Sequence, residues 1–293
     1  ATIQPHLEYM AAHPRFIPET ARRIADPLFT NDLYLSKYHL GEFVEKREQL
    51  LLEVIQGLDA SSKAALGLIY MRKDHLESPI MRQGSEPHAV ERLGSTLGGC
   101  IQALDALNGS LVTHMHVDDQ PVWRFKHPTI GDAYAATLAF SPDLLGVFLG
   151  GSSTENLLSQ VTCGNVCVEK AVIVPKSLFP TMIERLRDFS TSNQYKVEWM
   201  SSWGARWTLF RFLANRCSKD FLAAYLEQSP DVLQRVAKPG LSLSVVPEVD
   251  LAVRLHGFGL LPEEARKAFV DAVSTYAVQG EDLHALDDPG VRS

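Results

Sequence analysis

Apolar positions along this chain fall mostly at helical spacing, with one short interval of alternation. Residues 2–12 and 19–25 carry brief helical patterns, separated by His13-Pro14-Arg15-Phe16-Ile17-Pro18, whose prolines break the run. Two such short helices cannot bury a core of their own, so they are expected to pack on the next domain along the chain or on a partner segment outside this sequence. From residue 41 the pattern strengthens. Phe43, Leu50, Leu51, Val54, Ile55 and Leu58 recur on one helical face, and Ala65, Leu66, Ile69 and Tyr70 form a second helix behind Asp59, a suitable N-cap. A polar stretch over 73–87 is expected to be loop. One long helix is expected over 88–107, with Val90, Leu93, Leu97, Ile101, Leu104 and Leu107 inward and Asn108-Gly109 as its stop.

The alternation comes next. Residues 111–117 read as a strand, Asp118-Asp119-Gln120-Pro121 as a turn, and 122–126 as the returning strand, where Val122, Arg124 and Lys126 alternate with Trp123 and Phe125. His127 stands at the junction. Pro128 has no N–H to lose in a first helical turn, so it opens a helix packed through Ile130, Tyr134, Ala135 and Leu138, with Asp132 near its start. A strand that hands an imidazole to the mouth of a helix can present it to an anion or phosphate. The same position equally suits a helix cap or a polar filler. Three helices followed by a two-stranded hairpin is the element order of a winged-helix domain.

After residue 141 helical patterns return, over 143–149, 154–161, 178–189, 207–215, 220–226 and 230–236, then around Val249, Leu251, Val253 and Leu255, and over 262–278. No strict period links them, so an irregular array is expected rather than a defined repeat. Residues 170–174 read as a short strand or a buried turn. Trp199, Trp203 and Trp207 fall at i, i+4 and i+8, a packed helical stripe. The expected class is therefore mainly α: a winged-helix domain with a small β-hairpin, followed by an irregular helical array. Its divisions fall at 1–42, the tail of a small helical domain, at 43–140, the winged helix, and at 141–293, a helical sensor or scaffold region.

Composition narrows the function. The 293 residues are 45% hydrophobic and 22% charged, as in an ordinary globular protein, and can bury a real core. A formal net charge of −7 opposes nucleic-acid binding by bulk attraction. The helix expected over 88–107 offers only Arg92 among Glu91, Asp105 and small residues, and the hairpin turn holds Asp118 and Asp119, the wrong sign for a phosphate backbone. With no apolar run of about 18 residues and no leader pattern, a cytoplasmic location is expected. Cys163 and Cys167 form a lone CxxxC without a second ligand pair, so all four cysteines read as reduced, structural thiols. His114 and His116 share one strand face but supply too few ligands for a metal. No P-loop, GxGxxG, HExxH or GxSxG occurs, and no catalytic constellation or metal site is expected.

Two stretches and their order carry a resemblance covering about residues 6–139. Phe125-Lys126-His127-Pro128-Thr129-Ile130-Gly131-Asp132-Ala133-Tyr134-Ala135-Ala136 resembles the end of the winged helix in STAND proteins, the signal-transduction ATPases with numerous domains, which include NACHT-type and bacterial immune receptors. His13-Pro14-Arg15-Phe16-Ile17 is similar to the proline-containing segment of the small helical domain that precedes it. Lys126 and Pro128 beside the histidine depart from that pattern. The resemblance implies that His127 senses the β-phosphate of ADP and that Pro14 lines the adenine side, both only beside an upstream nucleotide-binding domain of the same polypeptide. It also implies a non-catalytic regulatory and ligand-sensing fragment, with ATP or ADP as cofactor of the parent protein and none in this stretch. A protein trigger or a homo-oligomer would be its partner, in a setting such as antiphage defence. Both ends read as cut rather than capped, in keeping with a core before Ala1. The competing expectation is a winged-helix DNA-binding transcriptional regulator.

Overall fold

The computed structural model describes residues 6–13, 16, 18–25, 40, 47–81, 83–187, 189, 201–237 and 247–279. These are mainly helical and divide into two compact units, Ala1–Ser153 and Thr154–Ser293. No single helix among them is long and apolar enough to cross a membrane.

The first unit begins with α1 (Leu7–Ala11) and α2 (Pro18–Ile24), then α3 (Arg47–Gly57) and α4 (Ala60–Met71). Helix α4 is the core element: every residue from Ala64 to Met71 is buried. Asp59 caps it as expected, one carboxylate oxygen accepting from the Ser62 N–H at 3.0 Å and the other from the Ser62 hydroxyl at 2.6 Å. Those two bonds hold the Asp59 carboxyl below its ordinary range.

Beyond α4 the structure departs from the expected order in two places. The stretch over 73–87 contains a short strand, β1 (Leu76–Glu77), and the helix expected over 88–107 is two helices, α5 (Glu86–Arg92) and α6 (Leu97–Leu107). The break has a local cause. Gly94 is left-handed, with φ +78, its N–H bonds Glu91 O at 2.9 Å, and the Ser95 N–H bonds Val90 O at 3.1 Å, which is the Schellman pattern of a helix end. Thr96 then caps α6, accepting from the Gly99 N–H at 3.1 Å. The break resets the helical phase, so Ile101, expected inward, is 44% exposed. The small residues do allow close packing of α6 on α4, where a Cβ on Gly99 would lie 2.8 Å from Ser61 Oγ.

Strands β2 (Val112–Val117) and β3 (Gln120–Phe125) form the hairpin, and β1 adds to its far side in an antiparallel sheet of order β1-β3-β2. The turn is tighter than expected. It holds only Asp118 and Asp119, with φ +49 and +63, and Gln120 and Pro121 already belong to β3. Leu76 pairs with Trp123 and Glu77 with Val122. As the central strand, β3 is hydrogen-bonded along both edges, and Val122, on the same face as Arg124, is as buried as Trp123 and Phe125. Helices α7 (Pro128–Ala139) and α8 (Pro142–Gly151) complete the unit, α7 packing on α3 and α4 and α8 on α5. Tyr134 of α7 and Tyr70 of α4 pack ring to ring at 5.4 Å, and burial pushes both phenols up.

In the second unit α9 (Thr154–Gln160) runs into β4 (Val161–Cys163), which pairs in parallel with β5 (Val172–Val174). The segment over 170–174 thus forms a strand at its C-terminal end. Next come α10 (Phe179–Arg187), α11 (Ser201–Arg216), α12 (Lys219–Gln228), α13 (Asp231–Val236), α14 (Pro247–Gly257) and α15 (Glu263–Gln279). Phe179 and Phe221 meet edge to face at 5.0 Å, joining α10 to α12. Of the tryptophan stripe, Trp199 and the side chain of Trp203 lie outside the described residues. Trp207 is half-buried on α11 under the Arg211 guanidinium at 4.5 Å.

Candidate functional site

The strand-to-helix corner at His127 is built from an anchored strand end. Asp74, left-handed with φ +63 in the turn after α4, accepts the Phe125 N–H at 2.6 Å and pairs with Arg124 Nη2 at 2.8 Å. Arg124 Nε also donates to Asp74 O at 2.9 Å, and the Lys126 N–H to Leu111 O at 3.0 Å. These bonds fix where β3 ends, and the next residue leaves the sheet still extended, His127 having φ −147 and ψ 143.

His127 is the N-cap of α7. Its Nδ1 accepts from the Thr129 N–H at 3.3 Å and lies 3.0 Å from Thr129 Oγ1. An Nδ1 that accepts puts the proton of the neutral ring on Nε2, leaving Nε2–H as the second hydrogen-bonding position of the side chain. The ring is half-buried rather than sealed. The capping role and the anion-facing role are therefore compatible: one nitrogen serves the helix and the other is left for a neighbour.

A third residue joins this corner from far away in sequence. Arg23, buried at the end of α2, donates through Nη2 to Thr129 Oγ1, 106 positions on. The same helix buries Thr20, whose hydroxyl has no hydrogen-bond partner among the described residues. Helix α2 is thus tied to the start of α7 within the first unit. Of the motif around Pro14, His13 and Phe16 are half-buried and the Phe16 N–H bonds His13 O at 2.9 Å. Pro14 itself lies outside the described residues. Spacing in the sequence marks His127 and gives no sign of Arg23 or Thr129, because their meeting depends on a fold that closes α2 onto α7.

A separate cleft of about 240 Å³ is lined by Leu68, Ile80, Met81, Val90 and Leu97, with Glu86, Glu91 and Thr96. Its two carboxylates are the wrong sign for a phosphate. On the exposed side of the hairpin, the His114 ring rests on Trp123 at 4.5 Å and His116 is exposed. Among the described residues no group of three or more His, Cys, Asp or Glu side chains could hold a metal ion.

Comparison of this chain with protein-family models, with curated proteins and with solved structures finds no match.

Proposed function

We propose that this chain is a regulatory and sensing region of a STAND-type NTPase, acting in the cytoplasm, in which a winged helix holds an ADP-bound resting state. The residues after 141 then receive a trigger or mediate assembly. One observation carries the reading. His127 lies two residues past the end of the central strand, caps the following helix through Nδ1, and keeps Nε2–H for a phosphate oxygen, beside the buried Arg23. The order helix, strand, helix, helix and hairpin, with β1 against β3, supports the winged-helix assignment. The nucleotide itself would be held by an upstream nucleotide-binding domain, with Pro14 on its adenine side. This region has no catalytic duty in that reading.

The test requires the polypeptide with that domain in place. One charge-assisted hydrogen bond to phosphate contributes about 1.5–3 kcal/mol, so His127→Ala should speed ADP release by about 10- to 150-fold and shift the protein toward its active state. Unchanged ADP release, measured by stopped-flow with a fluorescent ADP, would remove the assignment.

The competing reading, a winged-helix transcriptional regulator, rests on the same topology. Helix α6, which would enter the major groove, carries no Lys or Arg, and the hairpin turn is Asp118-Asp119. Duplex binding should therefore be absent at about 10 μM protein in low salt, where non-specific DNA binders already associate. Anisotropy showing an affinity that falls steeply with salt would favour the regulator instead.

A further inference from the structure

The sequence pairs Cys163 with Cys167, and the fold pairs it with Cys217. Cys163 ends β4, Cys217 follows α11, and a parallel β-bridge aligns the two, closed by the Ser218 N–H donating to Cys163 O at 2.8 Å. Directly paired residues of parallel strands leave the same face of the sheet, at a Cα separation within the roughly 4.4–6.8 Å that a disulfide spans. Both residues are completely buried at these paired positions. Cys167 is exposed, and Cys100 belongs to the other unit.

We propose that Cys163 and Cys217 are an oxidation-sensitive pair that a hydroperoxide closes into a disulfide and a thiol reductant reopens. The inference concerns residues 154–293 alone and is independent of the nucleotide reading. One thiol gives up its proton and, as thiolate, attacks a peroxide oxygen; the S–O bond forms, the O–O bond breaks, and the departing hydroxide takes up that proton and leaves as water, giving a sulfenic acid. The second thiol gives up its proton and attacks that sulfur; the S–S bond forms, the S–O bond breaks, and a second water departs. Two thiols have then reduced one hydrogen peroxide to two waters. Both residues are sealed from solvent, so the peroxide reaches them only when this part of the unit opens locally. Burial and the neighbouring thiol push the Cys217 thiol up, while the Arg254 and Arg216 guanidiniums pull against them. Arg254 donates to Cys217 O at 3.5 Å and Arg216 to Val161 O at 3.2 Å, so both cations are fixed beside the pair. Closure adds a covalent tie where α11 hands over to α12, one residue before the cap Ser218.

The test uses the intact chain and hydrogen peroxide, with alkylation in denaturant and peptide mass mapping. The Cys163 and Cys217 peptides should be joined, and dithiothreitol should restore both thiols. Cys167→Ser, an exposed change, should leave that link intact. Recovery of Cys163 and Cys217 as free, alkylated residues after peroxide treatment would overturn the proposal, as would a link from Cys167 to either.

Discussion

Replacing Glu86 by alanine should destabilise the first unit by about 3–5 kcal/mol, the cost of leaving a buried charge without its partner. Glu86 and Arg72 are 7% and 8% exposed. They meet in a two-pronged pair, Nε to Oε1 at 2.9 Å and Nη2 to Oε2 at 2.7 Å, while Nη2 also donates to Met81 O at 2.6 Å. The pair links the C-cap of α4 to the first turn of α5, where a carboxylate also meets the positive end of the helix. Removing the carboxylate strands a guanidinium whose Nη1 already lacks a partner. Removing both charges together, as Arg72→Met with Glu86→Leu, should cost far less, because neither ion is then left in the interior. Native-state hydrogen exchange of the α4 amides reads the effect without assuming that the two units unfold together. A loss below about 1 kcal/mol for the single variant would mean that water already reaches the pair.

Gly164→Ala should be the most damaging small substitution in the second unit, by about 3 kcal/mol. Two penalties coincide there. Gly164 has φ +81, which costs an L-residue about 1 kcal/mol or more, and an added Cβ would lie 2.3 Å from Ser218 Oγ and 2.7 Å from Ser218 Cβ. Ser218 cannot simply step aside. Its hydroxyl caps α12 by accepting the Phe221 N–H at 3.4 Å, and its own N–H holds the bridge to Cys163. Loss of the cap adds about 1 kcal/mol. Gly259 supplies the internal control, since it has φ +67 but nothing within 4 Å of the same added atom. Gly259→Ala should therefore cost only the backbone term, about 1 kcal/mol. Equal losses in the two variants, read from exchange protection of α12 and α14, would show that Ser218 yields freely.

The helices with sustained apolar faces were legible because a 3.6-residue period needs only local sequence. So were the hairpin, the cap at Asp59 and the opening of α7 at Pro128, each set by one or two residues with strong backbone preferences. What escaped were features too short to show a period. Strand β1 is two residues long, and only β3 beside it makes Leu76–Glu77 a strand. The end of α5 depended on a glycine whose sign of φ cannot be told from composition, since Gly94 could equally have continued a helix at modest cost.

The site divides along the same line. His127 at a strand-to-helix junction follows from alternation giving way to proline, and that much the amino-acid order determined by itself, as it did the mainly helical class and the acidic balance. Tertiary structure alone decided that Arg23 reaches Thr129, that Arg72 meets Glu86 and that Cys163 lies against Cys217 rather than Cys167. The reason is physical. Local pattern is enforced by backbone sterics and the period of one element, whereas these pairs form only after apolar burial has brought distant elements together, and the chain carries no periodic mark of such partners.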